Sequence, residues 1–176
     1  AEDMRADGIK VLAVAYSTAS SDWGDLVLCG FLGFFDRPKA SARAAVRALS
    51  DLSVEVRVLT GDSASVVRST CSRLGIPADS VITGSMLDAM EESEALVRVG
   101  RTRVFAELTP AQKAHIVSLI RLSGHTVGYI GDGVNDVPAL TSADVGIVVD
   151  SAAAESKKVA DLVLLERDLG VVAEGV

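Results

Sequence analysis

The stretch that most limits how this chain can fold is Thr126 to Asp136, TVGYIGDGVND. Val127, Tyr129 and Ile130 suit a buried strand, because β-branched and aromatic side chains pack well on a pleated surface. Gly131 and Gly133 then let the backbone turn sharply and leave room for a ligand against the main chain. Asp132 and Asp136 stand at the carboxyl end of that strand with Asn135 between them. In an open α/β sheet that end is where ligands bind. Two carboxylates and an amide are hard oxygen ligands of the kind magnesium takes. The plainer alternative is an acidic turn capping a helix that starts near Pro138. The apolar strand in front of the turn and the Asn135-Asp136 pair behind it favour a functional turn.

A length of 176 residues suits one domain with a real core. Hydrophobic residues make up 49% of the chain but aromatics only 4%. That mix, rich in Val, Ala and Leu, is expected of parallel strands covered by helices. A net charge of −7 argues against a nucleic-acid partner. It does not exclude a phosphate ligand, since magnesium and one lysine can hold an anion locally. Cys29 and Cys71 make no disulfide framework and are both expected reduced and buried. No signal-peptide pattern is visible. The longest apolar run, Leu26 to Phe35, is about half of the ~20 residues a membrane helix needs. The chain is therefore expected to be soluble.

Read in order, strands are expected at Gly8 to Tyr16, Leu26 to Phe35, Val54 to Leu59, Val81 to Gly84, Arg103 to Leu108, Val145 to Val149 and Leu162 to Leu165. Between the first two lies a polar loop with Trp23 as its anchor. Helices are expected to open at Pro38, after Asp62 or Ser63, and at Ser85, where Met86, Met90 and Val97 would face the core as far as Val99. Gly75 and Pro77 should stop the second of these. Thr109-Pro110-Ala111-Gln112 reads as a cap, a first-turn proline and a capping-box glutamine. Shorter helices follow at Val137 to Ala143, from Ser151 to Ala160 and after Asp168. His115 and His125 read as surface residues. Strands alternating with helices indicate an α/β, doubly wound parallel sheet.

Two further turns carry chemistry. Thr60-Gly61-Asp62 closes the Val54 to Leu59 strand, and a hydroxyl with free N–H groups there makes a small anion site. The plainer reading is an ordinary helix cap. Lys113 falls in the first turn of the helix after Thr109, where the dipole favours anions. That is the wrong charge for stability and the right one for a phosphate. Thr60, Lys113 and the Asp132–Asp136 pair together would hold a phosphoryl group and offset its charge.

The order TGD, TPxxK, GDGVNDxxAL and ADVGI resembles the phosphorylation domain of P-type ATPases, which has the haloacid-dehalogenase-like, Rossmann-like fold. The stretches Asp36-Arg37-Pro38-Lys39, His125 to Val149 and Ala160 to Val176 look most like the bacterial magnesium-importing members. The resemblance implies that Thr60 hydrogen-bonds phosphoryl oxygens and that Gly61 and Asp62 lie near the nucleotide. It implies that Lys113 bridges the phosphoryl group and an acyl-phosphate aspartate. Asp132 would bind catalytic magnesium, with Asn135 and Asp136 completing that side and Asp136 counted among the metal residues. Asp36 would support a hinge. Residues 1–25 would be the tail and linker of a nucleotide-binding domain, and 26–176 the C-terminal part of the phosphorylation domain. Magnesium and ATP are the implied cofactor and substrate. The remaining pump domains and membrane helices are the implied partners, at the cytoplasmic face of the membrane.

The departures from that pattern matter as much. The family's nucleophile, the first aspartate of DKTGT, is absent, and with it the strand that carries it. The chain alone is thus expected to lack ATPase activity. Glu107 stands where an arginine usually meets the nucleotide, Arg37 replaces a hinge proline, and Val137 replaces an alanine beside the metal turn. A second reading follows: a non-catalytic, truncated module that binds magnesium or a partner. A small soluble phosphatase is a third, which also needs the missing nucleophile. The missing strand would be central, between those ending at Thr60 and Gly131. Its absence should leave open edges, filled either by Val11 to Tyr16 or by a second copy of the chain.

Overall fold

The computed structural model describes residues 9–17, 26–34, 38–166 and 168–176. Asp36, Arg37 and Trp23 lie outside the described residues.

Two sheets of parallel strands carry the fold. The first has β3 (Val58–Leu59), β5 (Val104–Ala106) and β4 (Val81–Thr83), with β5 in the middle. The second has β6 (Gly128–Gly131), β7 (Val145–Val149) and β8 (Leu162–Leu164), with β7 in the middle. Helices connect them: α1 (Ala42–Asp51), α2 (Ala64–Leu74), α3 (Gly84–Asp88), α4 (Glu92–Arg101), α5 (Pro110–Leu122), α6 (Val137–Ser142), α7 (Ala154–Val159) and α8 (Gly170–Glu174). This is the parallel α/β architecture that the strand–helix alternation predicts. Among the described residues β3 hydrogen-bonds only to β5, and β6 only to β7, so each keeps one open edge.

The helix α5 joins the two halves. Its Ile116, Leu119 and Ile120 pack with Phe105 of β5, and Val117 packs with Tyr129 of β6. Leu59 of β3 and Val127 before β6 lean on both clusters, which sets the two open-edged strands on the same helix. The start of α5 has the expected capping box: Thr109 Oγ1 accepts from Gln112 N, and Gln112 Oε1 accepts from Thr109 N at 2.8 Å. Gly75 ends α2 at φ 77°, a left-handed turn that favours glycine.

Several expectations are corrected. The strands β1 (Lys10–Ser17) and β2 (Leu26–Phe34) pair antiparallel with each other, as a separate two-stranded sheet. The first strand therefore pairs with neither β3 nor β6. Leu12, Tyr16, Leu28, Phe31, Leu32 and Phe34 remain exposed, and so does Cys29, which was expected to be buried. A two-stranded hairpin with no covering layer cannot bury either face. The strand expected over Val54 to Leu59 forms a ladder only at its last two residues, where among the described residues it pairs with one short neighbour, β5. The helix expected at Pro38 begins at Ala42. The single helix expected over Ser85 to Val99 is two, broken before Glu91. The break rephases the second, so Ala95 and Val99 are buried while Met86 and Val97 face out. The last small-residue helix starts at Ala154 instead of near Ser151.

Cys71 is fully buried in the cluster around Val67 and Ile76, and burial pushes its thiol pKa up. A maleimide should therefore label Cys29 quickly and Cys71 only on unfolding. Mass spectrometry of the timed reaction checks this; two cysteines labelled at equal rates in native buffer would place Cys71 outside the core.

Candidate phosphoryl and metal site

The three motifs meet through a chain of contacts. Thr60 ends β3. Its N–H donates to Phe105 O at 3.0 Å, and its carbonyl accepts from Leu108 N at 3.0 Å. Asp62 N donates to Thr60 Oγ1 at 3.0 Å, which leaves the hydroxyl proton able to donate outward. Glu107 N donates to Asp62 O at 2.9 Å. The TGD turn is thus tied to the segment that leads into α5, and α5 carries Lys113.

Lys113 Nζ donates to Asp136 Oδ1 at 2.8 Å, and both side chains are largely buried. The hydroxyl of Tyr129 donates to the same oxygen at 2.9 Å. The backbone N–H of Asp132 lies near the same carboxylate and favours its charged form. Burial pushes the Asp136 pKa up. The hydrogen bonds from Lys113 and Tyr129, with the lysine charge and the Asp132 N–H, outweigh it and hold the carboxyl below its usual range. Burial, then the charge and hydrogen bond of Asp136 and the charge of Asp132, raise the Tyr129 phenol far above its usual range. Tyr129 therefore stays protonated and donates.

This packing explains the glycine before the metal turn. A methyl group at position 131 would fall 2.6 Å from Asp136 Cβ. Only glycine lets the chain fold Asp136 back over the end of β6. The turn is a 3-10 helix, Val134–Asp136, running into α6. Two bonds from the segment after β7 hold it: Ser156 Oγ donates to Gly133 O at 2.8 Å, and Ala153 N to Asp132 O at 3.2 Å. Asp132 and Asn135 are exposed at its surface.

The donor set fits a magnesium site of limited kind. Among the described residues no group of three or more His, Cys, Asp or Glu side chains could hold a metal. Magnesium often binds through one or two carboxylates, keeping waters and taking phosphate oxygens. The exposed Asp132 suits that role. The Asp136 carboxylate already accepts from two donors, Lys113 and Tyr129.

Two residues of the site lay beyond sequence reasoning. Tyr129 read as a core aromatic; only its two-residue spacing from Gly131 placed it on the same strand face. Ser156 is fully buried in a small-residue helix and gave no signal. Glu107 is placed by the structure as well as by resemblance. At φ 56° its carboxylate turns onto α2 and Oε1 accepts from Ala64 N at 3.3 Å. Ser63, the N-cap of α2, makes no side-chain cap bond. Ile130, expected to be buried, is 39% exposed.

A family model for haloacid dehalogenase-like hydrolases matches residues 6–144. The chain belongs to that family, as the parallel sheets and the three motif-bearing turns lead one to expect. Its relatives include two P-type magnesium-transporting ATPases, from Salmonella typhimurium at 44% identity and Escherichia coli at 40%, each alignment covering 99% of this chain. The cation-transporting ATPase pma1 of Synechocystis is 36% identical over 95% of it. The chain spans about 20% of the length of each of these relatives. Among the described residues no helix is long and apolar enough to cross a membrane.

Asp136 sets two expected outcomes. Gly131→Ala should displace it and destabilise the fold by about 1–3 kcal/mol, the usual range for overpacking, as read by urea unfolding. Because the folded-state pKa of Asp136 is depressed, its ionised form adds stability above its unfolded pKa. That contribution is lost as pH falls through the folded value. The stability gap between the parent chain and Asp136→Asn should therefore be full near neutrality and shrink below about pH 4. A gap that stays constant down to pH 2 would contradict the assignment.

Proposed function

We propose that this chain is the C-terminal part of the phosphorylation domain of a P-type cation pump, with magnesium the favoured cargo. The observation that carries the reading is the contact chain from Thr60 through Glu107 and Leu108 to Lys113 and Asp136. It gathers a hydroxyl, a cation and an acidic turn at the carboxyl ends of the parallel strands on either side of an open gap. A strand bearing an aspartate, from elsewhere in the pump, would fill that gap and pair with β3 and β6. The residues to 25 belong, in this reading, to the tail of the nucleotide domain.

In the complete pump an aspartate oxygen would bond to the γ-phosphorus of ATP as ADP leaves, and water would later hydrolyse the acyl phosphate. Bound magnesium would neutralise charge on the phosphoryl oxygens. Thr60 would donate its hydroxyl proton to one of those oxygens, and Lys113 would place its ammonium beside another. Asp132 would hold the metal, with Asn135 and Asp136 completing that side of the site and Asp136 also fixing Lys113. Gly61 and Asp62 would border the nucleotide. Glu107 would weaken nucleotide binding, since it sets an anion where the nucleotide approaches. The partners are ATP, the other cytoplasmic domains and the membrane helices of the pump, on its cytoplasmic side. In isolation the open edges of β3 and β6 would favour pairing with a second copy.

A second reading, a non-catalytic magnesium- or partner-binding module, draws on Glu107 and on the absent DKTGT motif. A chimera separates the two: this chain replaces the matching fifth of the Salmonella magnesium-transporting ATPase. The pump reading expects an acid-stable, hydroxylamine-labile phosphoenzyme formed from ATP. Asp132→Asn and Lys113→Met should reduce it at least tenfold, in keeping with the loss of one transition-state charge contact. A well-folded chimera that forms none would favour the non-catalytic module. The chain alone should hydrolyse no ATP.

A further inference from the structure

Lys113 serves two anions in the reading above, on which this inference rests. It neutralises Asp136, and it would reach a phosphoryl oxygen. A buried carboxylate that loses its partner is costly, so drawing the lysine toward a ligand works against the acidic turn.

The structure supplies a second donor on the same oxygen. Tyr129 is 8% exposed, and its ring is wedged among Val117, Ala139, Leu140 and Val148. It therefore cannot follow the lysine. Side chains two apart on a strand share a face, so the phenol and Gly131 lie on one side of β6, and the space left at Gly131 admits the carboxylate above the hydroxyl. The Asp136 N–H donates to Gly133 O at 2.9 Å, so any movement of Asp136 passes directly to the backbone of the metal turn.

We propose that Tyr129 is a positioning residue whose hydroxyl holds Asp136 in place while Lys113 turns to a phosphoryl oxygen. The lysine can then leave without the acidic turn shifting. Phenylalanine at this position would fill the same apolar cluster but leave Lys113 as the one side-chain tether on Asp136.

Lys113→Met imitates the withdrawn lysine, and a double-mutant cycle with Tyr129→Phe reads the tether. The readout is amide hydrogen exchange at Asp132 and Asp136 in solution free of magnesium and phosphate. Each single variant should speed exchange modestly, by roughly threefold. The double variant should exceed the product of the two by about tenfold, within the range expected for residues sharing one acceptor. Exchange at Val104 to Ala106 is the control for an intact fold. Multiplicative single effects would reduce Tyr129 to a packing residue and overturn the proposal.

If the double variant does not fold, fluorotyrosine labelling decides with Lys113→Met alone. The chain has two tyrosines, Tyr16 and Tyr129. The fluorine line of Tyr129 should move and that of Tyr16 stay; a Tyr129 line blind to the lysine would overturn the tether. The site reading is tested separately by adding magnesium and inorganic phosphate to the parent chain. No response at Lys113 would count against the phosphoryl site itself, whatever the cycle shows.

Discussion

The site depends on one partly buried ion pair. Lys113 sits in the first turn of α5, where the helix dipole disfavours a cation. What holds it there is Asp136, reached from another segment of the chain at 2.8 Å. Breaking such a pair by removing one partner costs about 3–5 kcal/mol when both charges are fully buried. The pair also sets geometry. It fixes the acidic turn against α5, and α5 is the helix on which both sheets pack. The site is therefore built into the core and does not ride on a loose loop.

The two sheets define what the chain can and cannot do. Each is short, parallel and complete on one side. Among the described residues β3 and β6 each keep one open edge, and Thr60 and the acidic turn follow directly on those two strands. A strand entering there would repair the sheet and deliver a reactive side chain to the site in one step. The β1–β2 hairpin does not repair it. It pairs with itself and leaves its apolar faces exposed.

The parallel architecture and the three motif-bearing turns were legible because each strand ends in its own signal. Glycine and aspartate close β6, threonine and glycine close β3, and the Thr109–Gln112 box opens α5. Strand pairing was less legible. Nothing local in Val54 to Leu59 reveals that its neighbour is missing, so the strand looked longer than its ladder. The same blindness made Cys29 and Ile130 look buried, since an apolar residue reads as core wherever its covering layer lies. Within the site, residues in the glycine- and proline-marked turns stood out, and hydroxyls elsewhere did not. Tyr129 and Ser156 act through hydroxyls on apolar or small-residue segments, where periodicity assigns them to packing. The capping of α2 by Glu107 escaped for a different reason: the donor and the acceptor are far apart in sequence.

The most direct test of this account is an amide-correlation spectrum of the chain titrated with magnesium. The account predicts sharp, dispersed peaks, with shifts confined to Gly131 to Asp136 and to Lys113 across the ion pair. A broad, collapsed spectrum that does not respond to magnesium would contradict it, because the acidic turn would then not form in this chain.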